Sequence, residues 1–335
     1  MTGRGGLGDR TFGELWRELP ACRDFFVVQG LPLPADDQTA AAYFADAPAE
    51  VLTEAGMTRE ELVGQFERFV EALGRLAVAA PDVSSLTVLG GADKHGRPED
   101  LQLDLRPGDV VALVGPTGSG KSRFLADVEW LANGDTPTGR RVLVNGLPAD
   151  AAKRLTVSGR LVAQLSQNMN FVMDLPVGEF ILAHAESRLL RDAAEAAASV
   201  VALANGLAGE PFDAQTPLTA LSGGQSRALM IADVARLCAS PIVLVDEIEN
   251  AGIDRRQAIS LLTGSGKIVF MATHDPLLAL LAARRLVFAA GAVVAVVETT
   301  PAERESLTAL TDLDARLARA REALRLGREV LFPKE

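Results

Sequence analysis

The chain has 335 residues, 48% of them apolar and 23% charged, a composition that excludes an extended disordered chain and suffices for more than one buried core. Its 33 Lys and Arg against 44 Asp and Glu leave a formal charge of −11, which disfavours nonspecific binding to nucleic acid or anionic lipid. The two cysteines, Cys22 and Cys238, form no CxxC or Cys/His cluster, so neither a zinc centre nor a disulfide framework is indicated, and free thiols in a reducing cytoplasm are expected.

The first ten residues are Gly-rich without an apolar run, and are not expected to be a secretory signal. Half of the 16 aromatic residues follow before position 84: Phe12, Trp16, Phe25, Phe26, Tyr43, Phe44, Phe66 and Phe69. The same stretch holds 7 arginines and 14 acids, a net 7 − 14 = −7. That shift marks residues 1–80 as a separate small, acidic, all-helical module. Thr11 with Glu14, and Thr58 with Glu61, have the spacing of capping boxes, which satisfy the free amides at a helix start. After Thr58, residues Leu62, Phe66, Phe69, Val70 and Leu73 recur at steps of three and four and share one helix face. The aromatics are expected to form the core of a small bundle.

Beyond Pro81 short apolar runs punctuated by Gly alternate with helical patterns. Asp109–Val114 ends at a glycine loop, Pro241–Val245 ends in two acids, and Lys267–Ala272 ends at Thr273-His274. Continuous apolar strands with polar ends predict a mostly parallel sheet covered on both faces, with functional groups at the strands' carboxyl ends. Leu277–Val297 is apolar but broken by Arg284-Arg285 and Gly291, so it is read as a helix followed by two short buried strands, not a membrane span. From Pro301 to Leu326 a single helix is predicted, with Leu310, Leu313, Leu317, Ala320 and Leu324 at alternating steps of three and four and packing expected against the chain's own body.

Gly115-Pro116-Thr117-Gly118-Ser119-Gly120-Lys121-Ser122 fits G-x-x-x-x-G-K-[ST] between a predicted strand and a predicted helix starting at Arg123. Such a loop wraps phosphate in backbone N–H groups at the positive end of the following helix. Lys121 would reach the β- and γ-phosphates, and Ser122 would ligate Mg²⁺. Downstream, Asp246 closes a buried strand where a carboxylate can hold Mg²⁺. Glu247 follows as the candidate general base for the attacking water. Ser222-Gly223-Gly224 opens a helical run from Gln225, giving a second anion site that does not easily reach the loop of its own chain.

With Leu221-Ser222-Gly223-Gly224-Gln225 lying shortly before Asp246-Glu247, and with Thr273-His274-Asp275 behind, the sequence resembles the ATP-binding cassette (ABC) ATPases over roughly residues 85–300. The resemblance implies an α/β P-loop NTPase cassette with a mostly parallel sheet plus antiparallel β and helical subdomains, preceded by the small all-α domain and followed by a C-terminal helix at 301–335. It implies ATP and Mg²⁺ as cofactors, with ATP hydrolysed in a head-to-tail dimer. One protomer would supply Lys121, Ser122, Gln167, Asp246, Glu247 and His274. Ser222, Gly223, Gly224 and Gln225 would come from a second cassette, either an identical chain or a related subunit. Gln167 would sense Mg²⁺ or the attacking water, and His274 the γ-phosphate. Two departures stand out: no aromatic residue stands near Gly90-Gly91-Ala92, where the family stacks adenine, leaving His95 as the nearest ring. The segment Ile248–Asp254 also lacks the usual proline and is one residue longer, with Asp254 as the candidate D-loop acid.

The first expectation for the whole protein is the energy-coupling subunit of a membrane transporter with separate transmembrane subunits, cytoplasmic or peripheral at the inner face of the membrane. Met169, Phe171, Val172, Met173 and Leu175 would form either an apolar surface for a partner helix or the inner face of the helical subdomain. The alternative is a soluble cassette that regulates or remodels a protein partner, favoured by the unusual D-loop and the acidic module. A nucleic-acid role is disfavoured by the absence of a heptad arm and of a basic stripe.

Overall fold

The computed structural model describes residues 6–46, 52, 56–76, 83–149, 161–166, 171, 173–190, 192–246 and 253–330. They divide into two compact units, Met1–Ala79 with Leu175–Val201, and Ala80–Asp174 with Ala202–Glu335.

The first unit is helical. It contains α1 (Phe12–Glu18), α2 (Arg23–Val28), α3 (Ala40–Ala45), α4 (Arg59–Leu76) and α6 (Val177–Ser187), together with the first part of α7 (Ala193–Leu207). α1 starts where it does because Thr11 and Glu14 close a reciprocal capping box, and Thr58 with Glu61 does the same ahead of α4. The core is aromatic: Phe12, Phe26 and Phe66 are fully buried, and Phe12 meets the Phe26 and Tyr43 rings edge-on at 5.2 and 5.5 Å. Leu189, far along the chain, packs against this cluster. Burial in the same core pushes the Cys22 thiol up to about 11.

The second unit carries two sheets. A six-stranded sheet has the order β10-β9-β3-β8-β7-β6, formed by β3 (Val110–Val114), β6 (Val162–Leu165), β7 (Ile242–Asp246), β8 (Ile268–Ala272), β9 (Arg284–Ala289) and β10 (Ala292–Glu298). All its pairings are parallel except β9 with β10. A four-stranded antiparallel sheet, β2-β1-β4-β5, comprises β1 (Leu86–Leu89), β2 (Gln102–Leu105), β4 (Arg141–Val144) and β5 (Leu147–Pro148). Helix α5 (Lys121–Glu129) packs against both sheets, with the Phe124 ring edge-on to Phe270 and Phe288. The remaining helices are α8 (Gly223–Arg236), α9 (Arg255–Gly264), α10 (Pro276–Leu281) and α11 (Pro301–Arg325).

Two expectations are corrected in detail. The 277–297 stretch is a helix and a hairpin as read, but β10 is an edge strand, and one of its faces stays in solvent: Val294 is 61% exposed. Helix α11 is tied to its unit chiefly through polar contacts, Arg255 to Asp314, Arg256 to Thr311 and Arg285 to Glu303. Leu313, Leu317 and Leu324 of the leucine stripe are exposed instead of packed, because these contacts turn the Thr311 and Asp314 face inward. No helix among the described residues is long and apolar enough to cross a membrane.

Candidate active site

The site grows from the carboxyl edge of the parallel sheet, where strands buried on both faces release their chains into loops. β3 runs out into Gly115, β7 ends on Asp246, and β8 is followed by Thr273-His274. The register sets Leu113 beside Ala272 and Ala272 beside Asp246, and the Thr273 N–H donates to the Leu113 carbonyl at 3.2 Å. The glycine loop, Asp246 and His274 therefore leave adjacent strands. β6 pairs Leu165 with Val245, so Ser166 comes out next to Asp246. Gln167 and Glu247, the residues that continue β6 and β7, lie outside the described residues, as do Ile248–Gly252, Met169 and Val172.

Gly120 caps α5 with φ +117°, and a Cβ there would stand 2.8 Å from the Gly291 Cα, so only glycine closes the loop at this point. The amides of Lys121 and Ser122 head α5 with no acceptor in their own helix. Pro116, Thr117, Gly118 and Ser122 are exposed, whereas Lys121 is buried and its Nζ donates to the carbonyls of Gly115 (2.7 Å) and Pro116 (3.2 Å). Ser119 Oγ is buried without a hydrogen-bond partner among the described residues. The loop thus presents an exposed concavity lined by backbone donors, with an ammonium group folded into its base, which is an anion site. Ser122 and Asp246 offer a hydroxyl and a carboxylate, hard oxygen donors that fit Mg²⁺. Among the described residues no His/Cys/Asp/Glu cluster suggests another metal.

The wall behind the loop was not legible in the sequence. The turn between β9 and β10 lies against it, with the Gly291 N–H donating to Ser119 O at 2.8 Å. Arg140, fully buried, holds that turn from the other side by donating from Nη2 to Gly291 O at 2.9 Å. The same guanidinium takes Glu99 through Nε (2.7 Å) and Nη2 (2.8 Å), and Asp127 of α5 through Nη1 (2.9 Å). Burial works against this charge, but Glu99 and Asp127 outweigh it and raise the Arg140 pKa above its ordinary value. Lys94 adds a further tie, its Nζ donating to Gly118 O at 2.8 Å and its N–H to Ala290 O at 2.9 Å. His95 is exposed beside it, its N–H bound to Asp93. Sterics bar an aromatic from two of the three positions Gly90, Gly91 and Ala92: a Cβ at Gly90 would fall 2.1 Å from Glu99 O, and one at Gly91 2.0 Å from Thr138 O. The Gly-Gly pair was the one sequence signal of that close backbone approach.

Ser222 caps α8 in a capping box, accepting from the Gln225 N–H at 3.3 Å while the Gln225 side chain takes the Ser222 N–H at 2.9 Å. The amides of Gly223 and Gly224 stand in the first turn without intrahelical acceptors, and Ser222 and Gly223 are exposed. Asp254 caps α9 by accepting from the Gln257 N–H at 3.0 Å.

Residues 98–250 match the family model described as ABC transporter. An uncharacterized ABC transporter ATP-binding protein of Methanocaldococcus jannaschii is 48% identical over 248 residues, which are 73% of this chain and 94% of that protein. Among solved structures, cbiO1 from Clostridium perfringens, part of the ABC transporter complex cbiONQ, has the same fold with a TM-score of 0.52 at 20% identity, covering 73% of this chain and 99% of that one. A dimeric ATP-binding cassette in a post-hydrolysis state, bound to ADP and Pi, gives 0.50 at 21% identity, covering 64% and 99%.

Proposed function

Given that the chain belongs to the ABC ATPase family and is an ATPase, we propose that it hydrolyses Mg-ATP between two head-to-tail cassettes and serves as the energy-coupling subunit of a membrane transporter. The observation that carries the site reading is the shared carboxyl edge of β3, β8 and β7, which brings Lys121, Ser122, His274 and Asp246 to neighbouring strand ends. Nucleotide phosphate takes the donors of 115–122, and the Lys121 ammonium exchanges its two carbonyl partners for β- and γ-oxygens, where a point charge opposes the charge developing on transfer. Ser122, Asp246 and Gln167 are the residues that would hold Mg²⁺, which when bound would neutralise charge on the phosphate oxygens. Glu247 accepts the proton of the attacking water, and His274 faces the γ-phosphate from the end of β8. The second cassette closes the site with the Ser222 hydroxyl and the amides of Gly223 and Gly224, with Gln225 capping their helix. The transporter role draws support from the relative's name and from cbiO1 being part of a transporter complex. Phe171, Met173 and Leu175 of the apolar segment are described, and Met173 is 47% exposed.

The test is Glu247→Gln, which keeps size and hydrogen bonding but cannot take a proton. Hydrolysis should fall about 10²-fold or more, while ATP binding survives and size exclusion with light scattering reports a dimer in saturating Mg-ATP. Hydrolysis at the wild-type rate would remove Glu247 as base. Copurification of the native chain with a soluble partner and no membrane subunit would replace the transporter role with regulation of a protein client.

A further inference from the structure

We propose that Arg255 is a positioning residue for the hydrolytic step, and that through Asp314 the C-terminal helix α11 sets where it stands. The proposal rests on His274 acting at the γ-phosphate, as read above.

Arg255 opens α9 immediately after Asp254, and its guanidinium forks between two carboxylates that come from different elements. Nη1 pairs with Asp275, and Nη2 donates to Asp314 Oδ2 at 2.5 Å. Asp275 is the residue after His274, and its remaining groups are committed: Oδ1 caps α10 at the Leu277 N–H (2.8 Å), and its own N–H donates to Thr273 Oγ1 (3.0 Å). Thr273, on the other side of His274, is buried and bonded to β3. The backbone of His274 is therefore fixed from both flanks, and Arg255 carries that fixed point across to the start of α9.

An isolated, solvent-exposed ion pair holds little in place, because water screens it. This one differs in geometry. Arg255 and Asp275 side chains are 20% and 13% exposed, and one planar fork serves partners 20 and 59 residues away. Arg256 adds a parallel tie, donating from Nη1 to Thr311 Oγ1 at 3.1 Å, one turn before Asp314 on the same helix. A displacement of α11 thus reaches the start of α9 through two consecutive side chains, and the His274 segment through Arg255.

Steady-state kcat and KM, with ATP affinity by calorimetry, should be measured on the full chain carrying Arg255→Ala, Arg255→Lys, Asp314→Asn, the double Arg255→Ala/Asp314→Asn, and His274→Ala as reference. Loss of position at a reacting group predicts a kcat about tenfold lower for Arg255→Ala, with KM and affinity within about twofold. Asp314→Asn should lose about threefold in kcat, and the double variant should be no slower than Arg255→Ala, since both act through one fork. Arg255→Lys should recover only part, because an ammonium cannot span both carboxylates. Wild-type kcat in Arg255→Ala, or additive losses in the double variant, would overturn the proposal. Should Arg255→Ala fail to fold, the 40% exposed Asp314 carries the test alone, and a wild-type kcat in Asp314→Asn overturns it. Wild-type hydrolysis in His274→Ala would instead defeat the reading of the switch itself.

Discussion

A guanidinium with no solvent contact is held in place only as long as its anions are. Arg140 has two, Glu99 and Asp127, and Glu99 also accepts from the N–H groups of Val293 (2.5 Å) and Gly91 (3.2 Å). Removing the cation alone leaves two carboxylates buried with their charge uncompensated, a change that costs about 3–5 kcal/mol. Arg140→Ala should therefore lower the melting temperature by about 10 °C, the shift expected for a unit of this size, in differential scanning calorimetry. Replacing Arg140, Glu99 and Asp127 together by leucine should return only part of that loss, because the Val293 and Gly91 N–H groups lose the Glu99 carboxylate. Nothing local in the sequence announced this cluster, since its partners lie 41 and 13 residues from Arg140. The loop that carries Lys121 and Ser122 was legible for the opposite reason: strand, glycine turn and helix start are written in consecutive residues.

The same capping chemistry starts α1 of the helical unit and α8 of the second unit. Thr11-Glu14 and Ser222-Gln225 form equivalent boxes, so the box by itself does not distinguish α1 from α8. What distinguishes them is the glycine pair that leaves the first turn of α8 open to an approaching anion. Ser222→Arg should leave ATP affinity within about twofold of wild type, losing only the cap's ~1 kcal/mol of stability, while phosphate-release assays show hydrolysis abolished as the bulky cation fills the trans site. Retained activity would break the case for a shared site. The strands and α8 could be read from apolar runs and capping signals. α11 lies against its own unit as expected, but the burial of β10 and of the α11 leucines was misjudged because apolar spacing says which residues align, not whether another surface covers them: Val294 and Leu313 align yet remain in water.

The composition break near residue 80 lies where the first stretch of the helical unit ends, at Ala79, but the aromatic core also receives Leu189 from the later segment Leu175–Val201. A chain starting at Pro81 is predicted to bind ATP with an affinity within about threefold of the full protein, because the groups surrounding the P-loop lie in the second unit. Its amides between 175 and 201 should exchange hydrogen faster, since Leu189 has lost its packing. Loss of ATP binding would mean that residues 1–80 complete the cassette's own core.

The self-satisfied state of Lys121 bears on kinetics. Should the loop take a triphosphate as proposed, the Lys121 ammonium would exchange the Gly115 and Pro116 carbonyls for phosphate oxygens, one set of hydrogen bonds for another. Nucleotides that differ in affinity are then expected to differ in residence time more than in association rate, which stopped-flow binding would check.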